Sequence, residues 1–401
     1  MSNRQPAVPR PQLGPITTPL KKPRVCVLSQ RSLTRALSRC CGYEFEDVVT
    51  AIDDAELVAP AHTRSSRVRL RVRNGLSRHT SLFPLVPSGL RAEPSQPTYD
   101  LFFVLVQFPW DLMSLDAVPR WRRRSGYAVC IIEEMWAADV DRLGPQLKVL
   151  KKFDHVFCGC AGTVQRLSEH LGRPVEYLPP GVDAIRFCPD PWVDRRCIDI
   201  CAIGRSSPDM HAALLAHANA TGAFYLFDSM QPPRIARSTH EHRLLLASQI
   251  KHSRYFIARK AKFNRAFETA GQEEIGLRFF EGLAAGAVLL GDRPQTQEFE
   301  DLLGWEDSVI SVGSDPSDLL HTISALDAQP ARLEAIRRRN VRHSLRQHDW
   351  LHRWSAVIER AGLAPGPRME RRRSDLEALA ALFEEPGAQV RAARIDAAAS
   401  P

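Results

Sequence analysis

Glu273 and Glu281 stand eight positions apart in the segment EEIGLRFFEGLAAGAVLLGD (273–292) and bracket a short apolar run. A carboxylate at each end of such a run can grip polar hydroxyls. Gly282, Ala284, Ala285 and Gly286 follow as a small-residue segment that reads as a helix start and lets backbone come close to a neighbour. Residues 287–290 then read as a buried strand. Acids that grip hydroxyls, beside closely approaching backbone, suit a sugar or a ribose. Glu274 shares the frame with Glu273, so the spacing alone selects between them.

Strands and helices must position these groups. RVCVLS (24–29) reads as a first buried strand, with a helical stretch from Leu33 and a second strand at 43–49. YDLFFVLV (99–106) is apolar without alternation, as a strand covered on both faces requires, and YAVCII (127–132) and FDHVFC (153–158) repeat the pattern. Helical segments separate them, one at 137–151. In YLPPGVDAIRFCP (177–189), Gly181 permits a sharp turn, Asp183 can cap or turn the chain, and Phe187 can staple a linker to a domain. A second series opens with CIDICAI (197–203) and continues at 223–227, 255–258, 287–290 and 309–312. The alternation predicts an α/β protein with two doubly wound parallel sheets. The expected divisions are a disordered Pro-rich leader over 1–22, a Rossmann-like domain over 23–180, and a linker over 181–196. A second Rossmann-like domain over 197–345 and C-terminal helices with a tail over 346–401 complete the chain.

A chain of 401 residues with 44% hydrophobic and 25% charged content is long enough for two such domains. No apolar run approaches the roughly 18–20 residues of a membrane span, and the leader lacks a secretory apolar stretch, so a cytoplasmic location is expected. The nine cysteines include no pair of pairs at zinc-site spacing and read as buried structural thiols. A net charge of +8 admits an anionic partner: nucleic acid, a membrane surface or a phosphorylated substrate. Arginines cluster at 64–78, 120–124, 337–342 and 368–373 and read as solvated faces. No nucleic-acid-binding motif accompanies them, so specific nucleic-acid binding is the weaker reading.

Taken together, three motifs resemble the retaining glycosyltransferases of GT-B fold with an E-x7-E signature, the family 4-like or group 1 glycosyl transferases. EEIGLRFFEGLAAG is similar to that family's E-P-F-G-L-x-x-x-E-A-M-A-x-G, residues 177–189 to its linker, and IDICAIGR (198–205) to its strand ending in Gly-Arg. The resemblance implies two Rossmann-like domains facing each other across a cleft. It also implies transfer of a hexose-type sugar, with retention, from a nucleoside-diphosphate sugar to an acceptor hydroxyl, a UDP-sugar being favoured over a GDP-sugar. Neither metal nor other cofactor is expected. Glu281 would hold the ribose hydroxyls and Glu273 would lie near the donor sugar and its phosphate. Gly204, Arg205, and the backbone of Gly276 and Leu277 would meet the diphosphate; Arg278 would contact phosphate or a neighbouring acid. The family's second phosphate-binding lysine is replaced here by Met210 and His211, leaving His211, Arg254, Arg259, Lys260 or Lys262 to supply the charge. Where many relatives carry a histidine after a first-domain strand, this chain has Glu133 and Glu134, which would take a polar role near the sugar or acceptor hydroxyl. Gln107, Trp110 and Trp136 are further candidates for the acceptor half. The acceptor itself, whether a small molecule, a lipid-linked carrier or a glycan, is left open. The rivals are a GT-B protein that has lost catalysis and serves as a binding or partner subunit and, behind it, a basic nucleic-acid-binding protein.

Overall fold

A computed structural model describes residues 22–77, 86–189, 196–228, 235–313 and 315–384, so all but the last residue of the expected leader lies outside it, as does the tail. The first half contributes β1 Val25–Leu28, β2 Ala55–Val58, β3 Ala61–His62, β4 Leu90–Arg91, β5 Tyr99–Val106, β6 Ser125–Ile132, β7 His155–Cys158 and β8 Glu176–Tyr177. The second contributes β9 Ile198–Ala202, β10 Tyr225–Phe227, β11 Ser253–Arg259, β12 Val288–Asp292 and β13 Ile310–Ser311. They form a six-stranded sheet in the order β2-β1-β5-β6-β7-β8 and a five-stranded sheet in the order β10-β9-β11-β12-β13. Every pairing within these two sheets is parallel. β3 and β4 pair antiparallel on the side. Helices cover both faces of each sheet, which is why β5 is buried throughout except at Asp100. The two doubly wound parallel sheets are the α/β architecture expected from the sequence.

The C-terminal edges of the two sheets are the edges that meet. Lys262, just past β11, pairs with Glu134, just past β6, at 2.8 Å. Glu274 accepts from Ala161 N and Gly162 N, which follow β7, at 2.9 Å each. The chain then crosses back: Trp354 Nε1, in the helix Trp350–Arg360, donates to Asp53 at 2.8 Å, and Arg368, in the helix Pro367–Ala381, pairs with Asp54 at 2.6 Å. Asp183 of the linker caps the short helix Ala184–Phe187 by accepting from Arg186 N, and Phe187 is fully buried, as expected of both.

Three expectations are corrected. Residues 43–49 belong to the helix Cys40–Ile52, and the second strand is Ala55–Val58. Val48, Val49 and Thr50 carry strand propensity, but this helix is wedged between the sheet and other helices and buried on nearly every side, so it shows no amphipathic stripe. No helix starts at Leu33, which lies in a turn. Residues 137–151 form a series of short turns around Gly144–Leu147, because Pro145 interrupts any longer helix. Of the nine cysteines eight are buried, and Cys197 is exposed.

Candidate functional site

In the second sheet β9 lies between β10, which follows it, and β11, which returns on its other side, so the connections diverge between β9 and β11. Ligands of open α/β sheets gather outside the strand ends at such a point. Gly204 sits there with φ +108°, a conformation that other residues rarely adopt. Arg205 follows it, Arg259 ends β11, and Arg278 reaches in from the helix Leu277–Ala284. Its Nε is 3.4 Å from where a Cβ on Gly204 would stand. Arg205, Ser206, Ser207, His211 and Arg259 line a crevice at this place.

The basic candidates separate cleanly by partner. Arg254 is held by Asp199 at 3.0 Å and by Asp327. Lys260 pairs with Glu273 and, at 3.4 Å, with Asp292. Lys262 pairs with Glu134 and Glu268 and lies over the Trp136 ring. His211 Nδ1 meets the Tyr225 hydroxyl at 3.0 Å, and Met210 is core. Among the described residues, Arg205 and Arg259 make no ion pair. Burial pulls the Arg259 guanidinium below its usual range, Asp292 only partly opposing it, and its face rests on the Phe263 ring. Two guanidinium groups without carboxylate partners therefore border one crevice, with a third beside it.

Glu273 accepts from Lys260 Nζ and from Gln295 N, which hold its carboxyl below the usual range. Glu274 turns the other way, into the first domain, where burial raises its carboxyl despite Gln272, Gly162 N and Ala161 N. Only Glu273 stays within the second domain, beyond the ends of β11 and β12. Gly276 caps the helix Leu277–Ala284, and a Cβ there would strike Arg259 O at 2.6 Å, so the helix start is tied to the end of β11. Leu277 is its first residue. The small-residue segment is the end of this helix, not a start: a Cβ on Gly282 would meet Phe256 at 2.6 Å, so the closely approached neighbour is the sheet. Glu281 is fully buried. One carboxylate oxygen accepts from Arg243, the other from Arg278. Burial pushes this carboxyl up, but Arg278 and Arg243 outweigh it and hold it below the usual range.

The first sheet offers a matching polar cluster where β1 and β5 diverge. Gln30 Nε2 donates to Ser114 at 2.6 Å, Gln107 exchanges hydrogen bonds with Ser38, and Arg39 clasps Asp111 at 2.6 and 2.9 Å. Trp136 is buried, whereas Trp110 is 44% exposed and stacked on Phe108. Glu134 is spent on Lys262 and on Trp136 Nε1. Glu133 differs: both carboxyl oxygens are buried with no hydrogen-bond partner among the described residues, beside Gly42 of the helix Cys40–Ile52. Burial and the neighbouring Glu134 raise its carboxyl to about 8, against the pull of Arg39. At neutral pH it is a hydrogen-bond donor without an acceptor among the described residues.

A carboxyl raised in the folded state keeps its proton after the unfolded chain has lost it, so stability falls as pH climbs from the unfolded value, roughly 4.3, through the folded one. Glu133→Gln is expected to flatten part of that fall and to raise Tm above pH 8; the rest belongs to Glu46, raised by burial to about 7. Melting curves across pH check this, and an unchanged profile would count against a buried, unpartnered Glu133.

Sequence reasoning missed Arg243. It lies in the helix Thr239–Lys251, is fully buried, and joins Glu281 to Glu44 of the first-domain helix at 2.8 and 3.0 Å. Glu44 also accepts from Trp350 Nε1 at 3.1 Å and Asp183 N at 2.9 Å. The result is a buried ionic chain, Glu44–Arg243–Glu281–Arg278, that runs from the first domain to the edge of the crevice.

A family model described as glycosyl transferase-like matches residues 169–359. No curated protein sequence matches the chain. Among solved structures it is similar to an alpha-glucosyltransferase in complex with UDP-glucose and DNA containing an abasic site, at 11% identity, over 84% of this chain and 99% of that one, with a TM-score of 0.49. It is also similar to Anabaena HepE in complex with UDP-glucose, at 10% identity, 84% and 98% coverage and a TM-score of 0.47. An alpha,alpha-trehalose-phosphate synthase from Burkholderia vietnamiensis is similar at 13% identity, 88% and 81% coverage and a TM-score of 0.41.

Proposed function

From the match of a glycosyl transferase-like family model to residues 169–359, we propose that the crevice between β9 and β11 holds the diphosphate of a nucleotide-sugar donor. The protein then transfers the donor's hexose to an acceptor hydroxyl with retention. The observation that carries the reading is the pair Arg205 and Arg259, cationic and without carboxylate partners, beside Gly204 at the divergence of the strands. A diphosphate supplies the missing anion. Arg259 takes the place of the family's second basic residue, which Met210 and His211 cannot fill. The N–H groups at the start of the helix Leu277–Ala284 add donors of the same sense.

Arg278 stands between Gly204 and Glu281 and is about one-third exposed, at 30%. On donor binding its guanidinium turns to the diphosphate and releases one oxygen of Glu281 to the ribose hydroxyls. Glu273, oriented by Lys260 and Gln295 N, faces the hexose. The bond from the anomeric carbon to the diphosphate oxygen breaks while the acceptor oxygen bonds that carbon on the same face. The acceptor proton passes to a diphosphate oxygen, giving a glycoside and a free nucleoside diphosphate. Arginines and backbone amides stabilise the leaving charge, so no metal is needed and chelators should leave the rate unchanged. Glu133, protonated at neutral pH, donates a hydrogen bond on the acceptor side, and closure of the domains excludes water.

Thermal-shift measurements with UDP, GDP, ADP and their sugars test the donor, with UDP and UDP-sugars expected to stabilise most. NMR of the product reports the anomeric outcome. No stabilisation by any of them would overturn the reading. One observation favours a second reading, a GT-B protein that has lost catalysis: Arg243 and Arg278 take both oxygens of Glu281. Donor hydrolysis that disappears in Arg205→Ala speaks for the enzyme; nucleotide binding with no turnover at all speaks for the binder.

A further inference from the structure

The helix Ser66–Ser77 carries an apolar stripe that stays exposed among the described residues. Val68, Val72 and Leu76 recur every four residues, hence on one helical face, and are 63%, 51% and 36% exposed. The opposite face anchors the helix: Leu70 packs against the first-domain core, and buried Arg73 donates to Asp116 at 2.6 Å. Asp116 is occupied further by Ser88 N at 2.7 Å. Flanking the stripe are Arg64, Arg67, Arg69 and Arg71, all exposed and none with an ion-pair partner among the described residues. Their setting is one-sided in charge, since no Asp or Glu occurs between Glu56 and Glu93 whereas seven arginines do. The helix packs by its anchored face against the turn Pro109–Ala117, which leaves the C-terminal end of β5, so the helix adjoins the acceptor-side cluster.

We propose that this helix docks the protein on an anionic lipid bilayer. Valine and leucine side chains on the outward face gain by entering the boundary between headgroups and acyl chains, and the flanking arginines meet anionic headgroups. A nucleic acid would satisfy the arginines but offers nothing to the apolar stripe. A second copy of the chain would bring an equally basic face. The inference does not rest on the transferase reading, because docking needs neither donor nor acceptor.

Co-sedimentation of the full chain with phosphatidylcholine vesicles, with and without phosphatidylglycerol, tests it. Binding is expected only to the anionic vesicles. It should fall by more than about tenfold both in a Val68→Ser, Val72→Ser, Leu76→Ser variant and in an Arg67→Glu, Arg69→Glu, Arg71→Glu variant. Six exposed positions leave the fold unchanged, which circular dichroism and an unaltered melting temperature verify. Absence of binding to anionic vesicles would overturn the proposal. So would vesicle binding that ignores the serine substitutions, or arginine-dependent binding to duplex DNA or RNA that is as tight as to vesicles.

Discussion

Replacing Arg243 by methionine is expected to destabilise the protein by about 3–5 kcal/mol, the usual cost of removing one member of a buried ionic cluster. The cause is what stays behind. Glu44 loses two hydrogen bonds at 2.8 and 3.0 Å, Glu281 loses one, and both carboxylates are buried where water cannot replace them. Denaturant unfolding measures the loss. Adding Glu44→Gln and Glu281→Gln to Arg243→Met should recover much of it, since no buried charge is then stranded. Equal stability of the single and triple variants would show that the cluster is not what Arg243 supports. Acid tests the same cluster from another side. A carboxyl held below its unfolded value stabilises above that value and ceases to as pH falls through the folded one, so the contribution of Glu281 should be lost as pH falls below the usual carboxylate range.

The second large effect is catalytic. Arg205→Ala and Arg259→Ala should each lower sugar transfer by about 100-fold or more, as removal of a preorganised charge on a leaving group does. The fold should be preserved, since neither side chain holds an ion pair among the described residues. Arg254→Ala makes the control: it lies five residues earlier, near the other end of the same strand, but is committed to Asp199 and Asp327, and transfer should change little. If Arg254→Ala is as damaging as Arg259→Ala, the assignment of the anion crevice fails.

Much of the fold was legible because buried parallel strands announce themselves as unbroken apolar runs. YDLFFVLV, YAVCII and AVLL (287–290) became β5, most of β6 and the first part of β12. The linker was legible for a local reason too, since Asp183 caps its own helix three residues on. The helix Cys40–Ile52 was not, because a helix buried all round has no period to read. The pair Glu273 and Glu274 divides in a way no spacing reveals, one acid to Lys260 and Gln295 N and the other to the first domain's N–H groups. Glu281 and Arg243 were the hardest. Arg243 meets Glu44 across 199 residues of sequence, and nothing local in HEHRLLL marks a buried arginine. Arg259 was one name among five until the partners of the other four were known.

Titration calorimetry of UDP against wild type, Arg205→Ala and Arg259→Ala bears most directly on the crevice between β9 and β11. Saturable binding by the wild type, weakened about tenfold or more in each variant through loss of a charge-assisted contact, is the expected result. Wild-type protein that binds no nucleoside diphosphate, or variants that bind as tightly as it does, would contradict the assignment.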